Sequence, residues 1–115
     1  MARNNLIFVT YNVKSLFELN RRIELIIILN YNKVDICFVQ ETHLCVNSRV
    51  SFENCILIRD ISGQDTAIVI KKYIKFTQIY IPDLKFLNCF ITINLSFNSE
   101  VKRFLLDSIY VPTNF

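Results

Sequence analysis

Glu41 follows the run Val34-Asp35-Ile36-Cys37-Phe38-Val39-Gln40, and a carboxylate at that place carries more chemical meaning than any other residue of the chain. The run is short and mostly apolar, the pattern of a strand buried on both faces. In open α/β sheets, ligands collect at the carboxyl ends of the strands, where Glu41 falls. An acid there suits a hard divalent cation such as Mg²⁺, which wants oxygen ligands and often takes only one or two carboxylates from a protein. An earlier apolar run, Leu6 to Tyr11, ends in Asn12. Two parallel strands would bring an amide and an acid to one rim. Each residue also has a plainer reading, Glu41 as an exposed acid ending a strand and Asn12 as a turn former.

The elements that must position this pair are legible as a βαβ unit. Strand one, Leu6 to Tyr11, is apolar on both faces, which predicts a central place in its sheet. Ser15-Leu16-Phe17-Glu18 reads as a capping box, with the Ser15 side chain and Glu18 satisfying each other's backbone donors. Leu16, Leu19, Ile23, Ile27 and Leu29 follow at helical spacing and predict the face that packs on the sheet. Asn20, Arg21 and Glu24 take the other face. The helix should fade near Asn30-Tyr31-Asn32, where asparagine tolerates the left-handed conformation of a helix end. Strand two, Val34 to Gln40, then lies parallel to strand one through a right-handed crossover. Asp35 begins that strand and belongs to the opposite rim, as a structural, turn-capping acid.

The second half changes character. Cys55 to Arg59, Thr66 to Lys71, Ile74 to Tyr80, Cys89 to Leu95 and Phe104 to Val111 are short β-rich runs. Asp60 to Asp65, Pro82-Asp83 and Phe97-Asn98-Ser99-Glu100 punctuate them. Antiparallel pairs beside the parallel unit, and hence a mixed sheet, are expected. No repeat, linker or low-complexity segment divides the chain, so one domain is expected. The ending Pro112-Thr113-Asn114-Phe115 brings no closing element and reads as the cut end of a larger domain.

With 115 residues, 52% of them hydrophobic and 20% charged, the chain belongs with globular rather than disordered proteins. A net charge of +3 permits contact with phosphates without announcing it. Lys71, Lys72 and Lys75 form the densest basic group, expected as a solvated strand end and turn. Cys37, Cys45, Cys55 and Cys89 show no CxxC spacing, which argues against zinc and redox motifs and for reduced, partly buried thiols. The longest apolar run, Leu25 to Leu29, is too short to span a bilayer, so no membrane partner is expected. The first residues lack the apolar run of a signal peptide, and an intracellular location is the expectation.

Four segments together resemble a known superfamily. Tyr11-Asn12-Val13 after strand one, Val34-Asp35-Ile36 leading into Gln40-Glu41-Thr42-His43-Leu44, Thr66 to Lys72, and Ser108-Ile109-Tyr110-Val111-Pro112 stand in the order of an endonuclease/exonuclease/phosphatase domain. The wording Glu-Thr-His-Leu is most similar to the apurinic-type endonucleases of non-LTR retrotransposons. The similarity runs along nearly all of the chain and covers only the N-terminal part of the family domain.

The resemblance implies an α/β two-layer sandwich with mixed β-sheets that hydrolyses phosphodiesters with Mg²⁺ or Mn²⁺. It implies DNA as the partner of the parent domain, and a nuclear location if the parent element is active. Glu41 matches the metal-binding acid. Asn12 matches the amide near the metal and scissile phosphate, and Tyr110 the tyrosine facing that phosphate. His43 and Asn114 are candidate substrate-binding residues; His43 reads equally well as a satisfied loop histidine, and Tyr110 as a core aromatic.

The departures are specific. Lys14 stands where many relatives carry an acid, and Gly63-Gln64-Asp65 replaces a glycine-rich turn. Asn114 lies one residue later than the family's asparagine. The family's Asp-x-Asn segment and closing Asp-His pair have no counterpart up to Phe115. The expected function is therefore a fragment of a metal-dependent DNA endonuclease, inactive alone. A non-catalytic degenerate remnant, or a phosphatase or phosphodiesterase of the same superfamily, is the alternative. Uncovered sheet edges in such a fragment would invite self-association.

Overall fold

A computed structural model describes residues 6–45, 47–48, 50–59, 65–79, 87–97 and 100–110. Its elements are β1 (Phe8–Asn12), α1 (Leu19–Tyr31), β2 (Ile36–Gln40), β3 (Cys55–Ile58), β4 (Thr66–Lys71), β5 (Phe76–Ile79), β6 (Leu87–Phe97) and β7 (Glu100–Tyr110). They form a four-stranded sheet ordered β1-β2-β4-β3 and a three-stranded sheet ordered β5-β6-β7. β1 and β2 are parallel, with Asn12 opposite Gln40. Every other pair is antiparallel. The first sheet is therefore mixed, as expected, and the second purely antiparallel. The fold is of α/β type with little helix.

Strand alternation sorts the apolar residues into two cores. Cys37 and Val39 of β2 and Ala67 and Val69 of β4 join Leu25 and Leu29 of α1 on one face. Their neighbours Ile36, Ile68 and Ile70 turn the other way and meet Ile93 of β6, with Phe76 and Leu106 packed alongside. A period of two thus feeds both faces of β2 and β4, which is why those strands read as nearly continuous apolar runs. The helix covers one face of the first sheet and the second sheet covers the other.

Three local expectations are corrected. β1 pairs only with β2 among the described residues and lies at the sheet's edge, not its centre. Phe8 is correspondingly 45% exposed, its ring tilted against Phe38. The capping box does not form: Glu18 is the N-cap with no side-chain cap, and the Ser15 hydroxyl instead accepts from the Phe17 amide at 3.3 Å. The reason is that the Ser15 amide is already committed to the Glu41 carbonyl at 2.8 Å. The helix also presents a different face. Of the residues expected to pack on the sheet, Leu16 and Leu29 are buried, together with Leu25, while Leu19, Ile23 and Ile27 are 61%, 48% and 61% exposed. Arg22, on the same side as Leu25 and Leu29, donates to the carbonyls of Leu16 and Phe17.

The helix ends where expected but by another residue. Asn32 keeps φ at −92°, and Lys33 takes the left-handed conformation at φ 53°. Bonds from the Asn32 amide to Ile28 and from the Val34 amide to Leu29 close the end. Asp35 behaves as expected of a structural acid at the opposite rim. It is buried, accepts from the Ile7 amide at 2.7 Å, and receives the Tyr73 hydroxyl.

Candidate functional site

The carboxyl ends of β1 and β2 meet at one rim, and the chain beyond them stays paired. Val13 donates to the Gln40 carbonyl at 3.1 Å, Ser15 to Glu41 at 2.8 Å and Leu16 to Thr42 at 2.7 Å. These three bonds hold the two following loops side by side. Buried Leu16 and Leu44 anchor the loops from below. The Asn12 and Glu41 side chains are thereby fixed against each other.

Asn12 donates through Nδ2 to the Glu41 carboxylate. Its Oδ1 accepts from the Lys14 amide at 3.1 Å, so both ends of the amide group are held. Behind this pair, Asn12, Gln40 and Thr66 form one cross-strand row. Gln40 donates to the Thr10 hydroxyl at 3.1 Å. The Thr66 hydroxyl is buried and has no hydrogen-bond partner among the described residues. A buried, unpaired hydroxyl is costly and uncommon in native proteins. The sequence did not signal its place in this row.

Backbone strain collects at the same place. Among the described residues, the non-glycine positions with positive φ are Lys14, Ser15, Lys33, Glu41 and His43. Lys33 ends the helix; the others lie in the two rim loops. A left-handed residue other than glycine costs roughly 1–2 kcal/mol. Such strain persists only where the surroundings over-determine it, and it clusters at functional sites. No residue-type pattern could have announced it, since Lys, Ser, Glu and His are ordinary loop residues.

The second sheet reaches this rim. Ser108 of β7 is buried and its hydroxyl donates to the Val39 carbonyl at 3.2 Å, tying the end of β7 to the end of β2. Tyr110 follows two residues later as the last residue of β7, opposite Leu87. His43 is exposed in the loop after β2. Asn114 lies outside the described residues. The structure thus joins Asn12 and Glu41 directly and brings the β7 backbone to the same end of the sandwich.

No group of three His, Cys, Asp or Glu side chains that could hold a metal ion occurs among the described residues. A single carboxylate nonetheless fits a Mg²⁺-like ion, which keeps several waters and takes the rest of its shell from substrate oxygens. Glu41 offers that carboxylate, one oxygen already oriented by Asn12. No helix among the described residues is long and apolar enough to cross a membrane. The chain matches no protein-family model and no curated protein.

Proposed function

We propose that this chain forms the metal-holding part of a phosphodiester-hydrolysing domain of the endonuclease/exonuclease/phosphatase type, most similar to the endonucleases of non-LTR retrotransposons. The observation that carries the reading is the Asn12–Glu41 pair, a carboxylate and an amide joined at the carboxyl rim of two parallel strands within strained loops. In this reading Glu41 ligates Mg²⁺ or Mn²⁺, and Asn12 orients that carboxylate and faces the phosphate. Tyr110 supplies a further donor to the phosphate, with His43 and Asn114 at the substrate's flank. The bound metal supplies charge stabilisation to the phosphoryl and leaving oxygens. The chain's own part is to hold the ligand oxygen and the neutral donors still, so that nothing reorganises as negative charge develops.

DNA is the proposed substrate. Binding of a short duplex oligonucleotide should strengthen when Mg²⁺ replaces EDTA at equal ionic strength, and Glu41→Gln should abolish the difference. Duplex binding that ignores the divalent ion would count against the reading. Self-association through the edge strands β1, β3, β5 and β7 belongs to the same proposal. Exposed apolar side chains on α1 (Leu19, Ile23, Ile27) and on β7 (Leu105) add surface for association besides the edges, and sedimentation over a range of concentrations tests it.

A non-catalytic remnant is the second reading. It is favoured by one observation: no group of three His, Cys, Asp or Glu side chains that could hold a metal ion occurs among the described residues. Under that reading Asn12 and Glu41 are a structural clamp between two loops. Glu41→Gln would then cost stability without changing any affinity for Mg²⁺ or Mn²⁺.

A further inference from the structure

The outer face of the second sheet, away from α1 and from the rim, holds a depression of about 460 Å³. Register decides what lines it. Thr77, Thr92 and Leu105 form one cross-strand row through β5, β6 and β7. In the next row Asn94 pairs with Arg103, and Lys75 stands one residue ahead of the Phe76–Ile93 pair, beside Asn94. Alternation puts these residues on the face opposite Ile93, which is buried in the core between the sheets. The depression is accordingly lined by Lys75, Thr77, Thr92, Asn94 and Arg103, with Phe76 at its end.

Its charge is one-sided. Lys75 and Arg103 flank a neutral asparagine, and no acidic side chain among the described residues lines the depression. The β5 and β7 backbones are two strand spacings apart, roughly 10 Å, which long side chains on both sides can span toward one small ion. Two cations facing each other without an acid between them repel, and an anion placed between them turns that repulsion into attraction. Around them stand the Thr77 and Thr92 hydroxyls and the Asn94 amide, neutral donors of the kind that bind phosphate oxygens. Thr92 is only 8% exposed, so its hydroxyl works in a partly dehydrated setting. Arginine adds a planar fork that meets two phosphate oxygens at once, and lysine a mobile point charge.

We propose that this depression is a phosphate-binding site, separate from the Asn12–Glu41 rim, in which Lys75 and Arg103 hold the charge while Thr77, Thr92 and Asn94 fix the oxygens. The same chemistry admits free inorganic phosphate or a phosphodiester of a nucleic-acid strand. Phosphate titrated against the whole chain in EDTA, with chloride matching the ionic strength, tests the site while leaving the rim without a divalent ion. Amide NMR signals of Thr77, Thr92, Asn94 and Arg103 should shift together in one saturable curve. The exposed-surface double variant Lys75→Gln/Arg103→Gln should weaken binding at least about tenfold while the helix and sheet circular dichroism stays unchanged. The single variant Thr77→Val, which leaves both charges in place, should weaken it by a smaller factor. A parallel titration with a single-stranded oligonucleotide identifies the source: equal loss in the double variant marks the phosphodiester backbone, and loss confined to inorganic phosphate marks the free ion. Phosphate shifts that are absent, or unchanged in the double variant, would overturn the proposal.

Discussion

The side-chain amide of Asn12 and the carboxylate of Glu41 are hydrogen-bonded across the ends of β1 and β2, although the residues lie 29 positions apart in the chain. The backbone beside the bond is strained. Ser15 and Glu41 both stand at positive φ, and the Ser15 amide is bonded to the Glu41 carbonyl. Asn12, the side chain bonded to this acid, is a neutral amide and cannot take a proton from water.

The chain alone should therefore nick supercoiled plasmid DNA inefficiently even in abundant Mg²⁺. General-base catalysis contributes about 10²- to 10⁴-fold, and a Glu41 carboxylate committed to a cation is not free to act as that base. Agarose-gel assay of the purified chain beside Glu41→Ala checks this. Robust nicking that disappears in Glu41→Ala would mean that a complete catalytic set is present.

Lys33 offers a test of the helix end that leaves the rim untouched. It is left-handed at φ 53°, where glycine pays no Cβ penalty. Lys33→Gly should raise unfolding stability by about 0.5–1 kcal/mol, the relieved strain being partly offset by glycine's freer unfolded chain. Thermal melts would show a midpoint higher by a few degrees. A lower midpoint would mean that the lysine side chain contributes more than its backbone costs.

Much of the βαβ unit was readable because each of its strands is short, apolar and followed by a polar residue at the rim. The Thr66–Lys71 strand was found to the residue, since its alternation feeds two cores and nothing interrupts it. The roll of α1 was not readable. Leu25-Ile26-Ile27-Ile28-Leu29 is apolar on every side, so periodicity alone leaves two stripes open, and the stripe through Leu25 and Leu29 is the one the structure buries. The edge position of β1 was hidden for a related reason, because an apolar strand at an edge has the same composition as one at the centre. Asn12 and Glu41 were legible as a pair; the strain around them and the Thr66 hydroxyl were not, as both arise from long-range packing.

Asp107 predicts a pH dependence of stability. Desolvation by burial raises its carboxyl from 3.8 to about 6, and its Oδ1 finds no partner among the described residues. Between those values the folded chain keeps a proton that the unfolded chain has released. Stability contributed by this group thus falls as pH rises from about 4 to about 6 and stays lower above. Asp107→Asn should flatten that part of the profile and leave the protein more stable than the parent at neutral pH. Urea melts across the range measure it, and parallel profiles for the two proteins would contradict the assignment.

The thiols should differ in reactivity. Burial pushes the Cys37 thiol up to about 12, with the neighbouring Cys55 adding to the shift, and Cys55 is itself raised by burial. Cys45 is exposed, and its bond with the Ser48 hydroxyl at 3.1 Å lowers it. Because the thiolate is the nucleophile, limited alkylation of the folded chain should label Cys45 well before Cys37 or Cys55. Peptide mapping by mass spectrometry reads the order. Equal labelling of Cys37 and Cys45 would place Cys37 outside the core.

Glu41, oriented by Asn12, is proposed here as a divalent-cation ligand. Titration of the isotopically labelled chain with Mn²⁺, read as paramagnetic broadening of amide signals, tests it without requiring turnover. Broadening should begin at Asn12 to Lys14 and Gln40 to His43, spread outward with distance, and be lost in Glu41→Gln under the same conditions. Broadening that starts elsewhere, or that persists unchanged at these residues in Glu41→Gln, would mean that Glu41 is not a cation ligand.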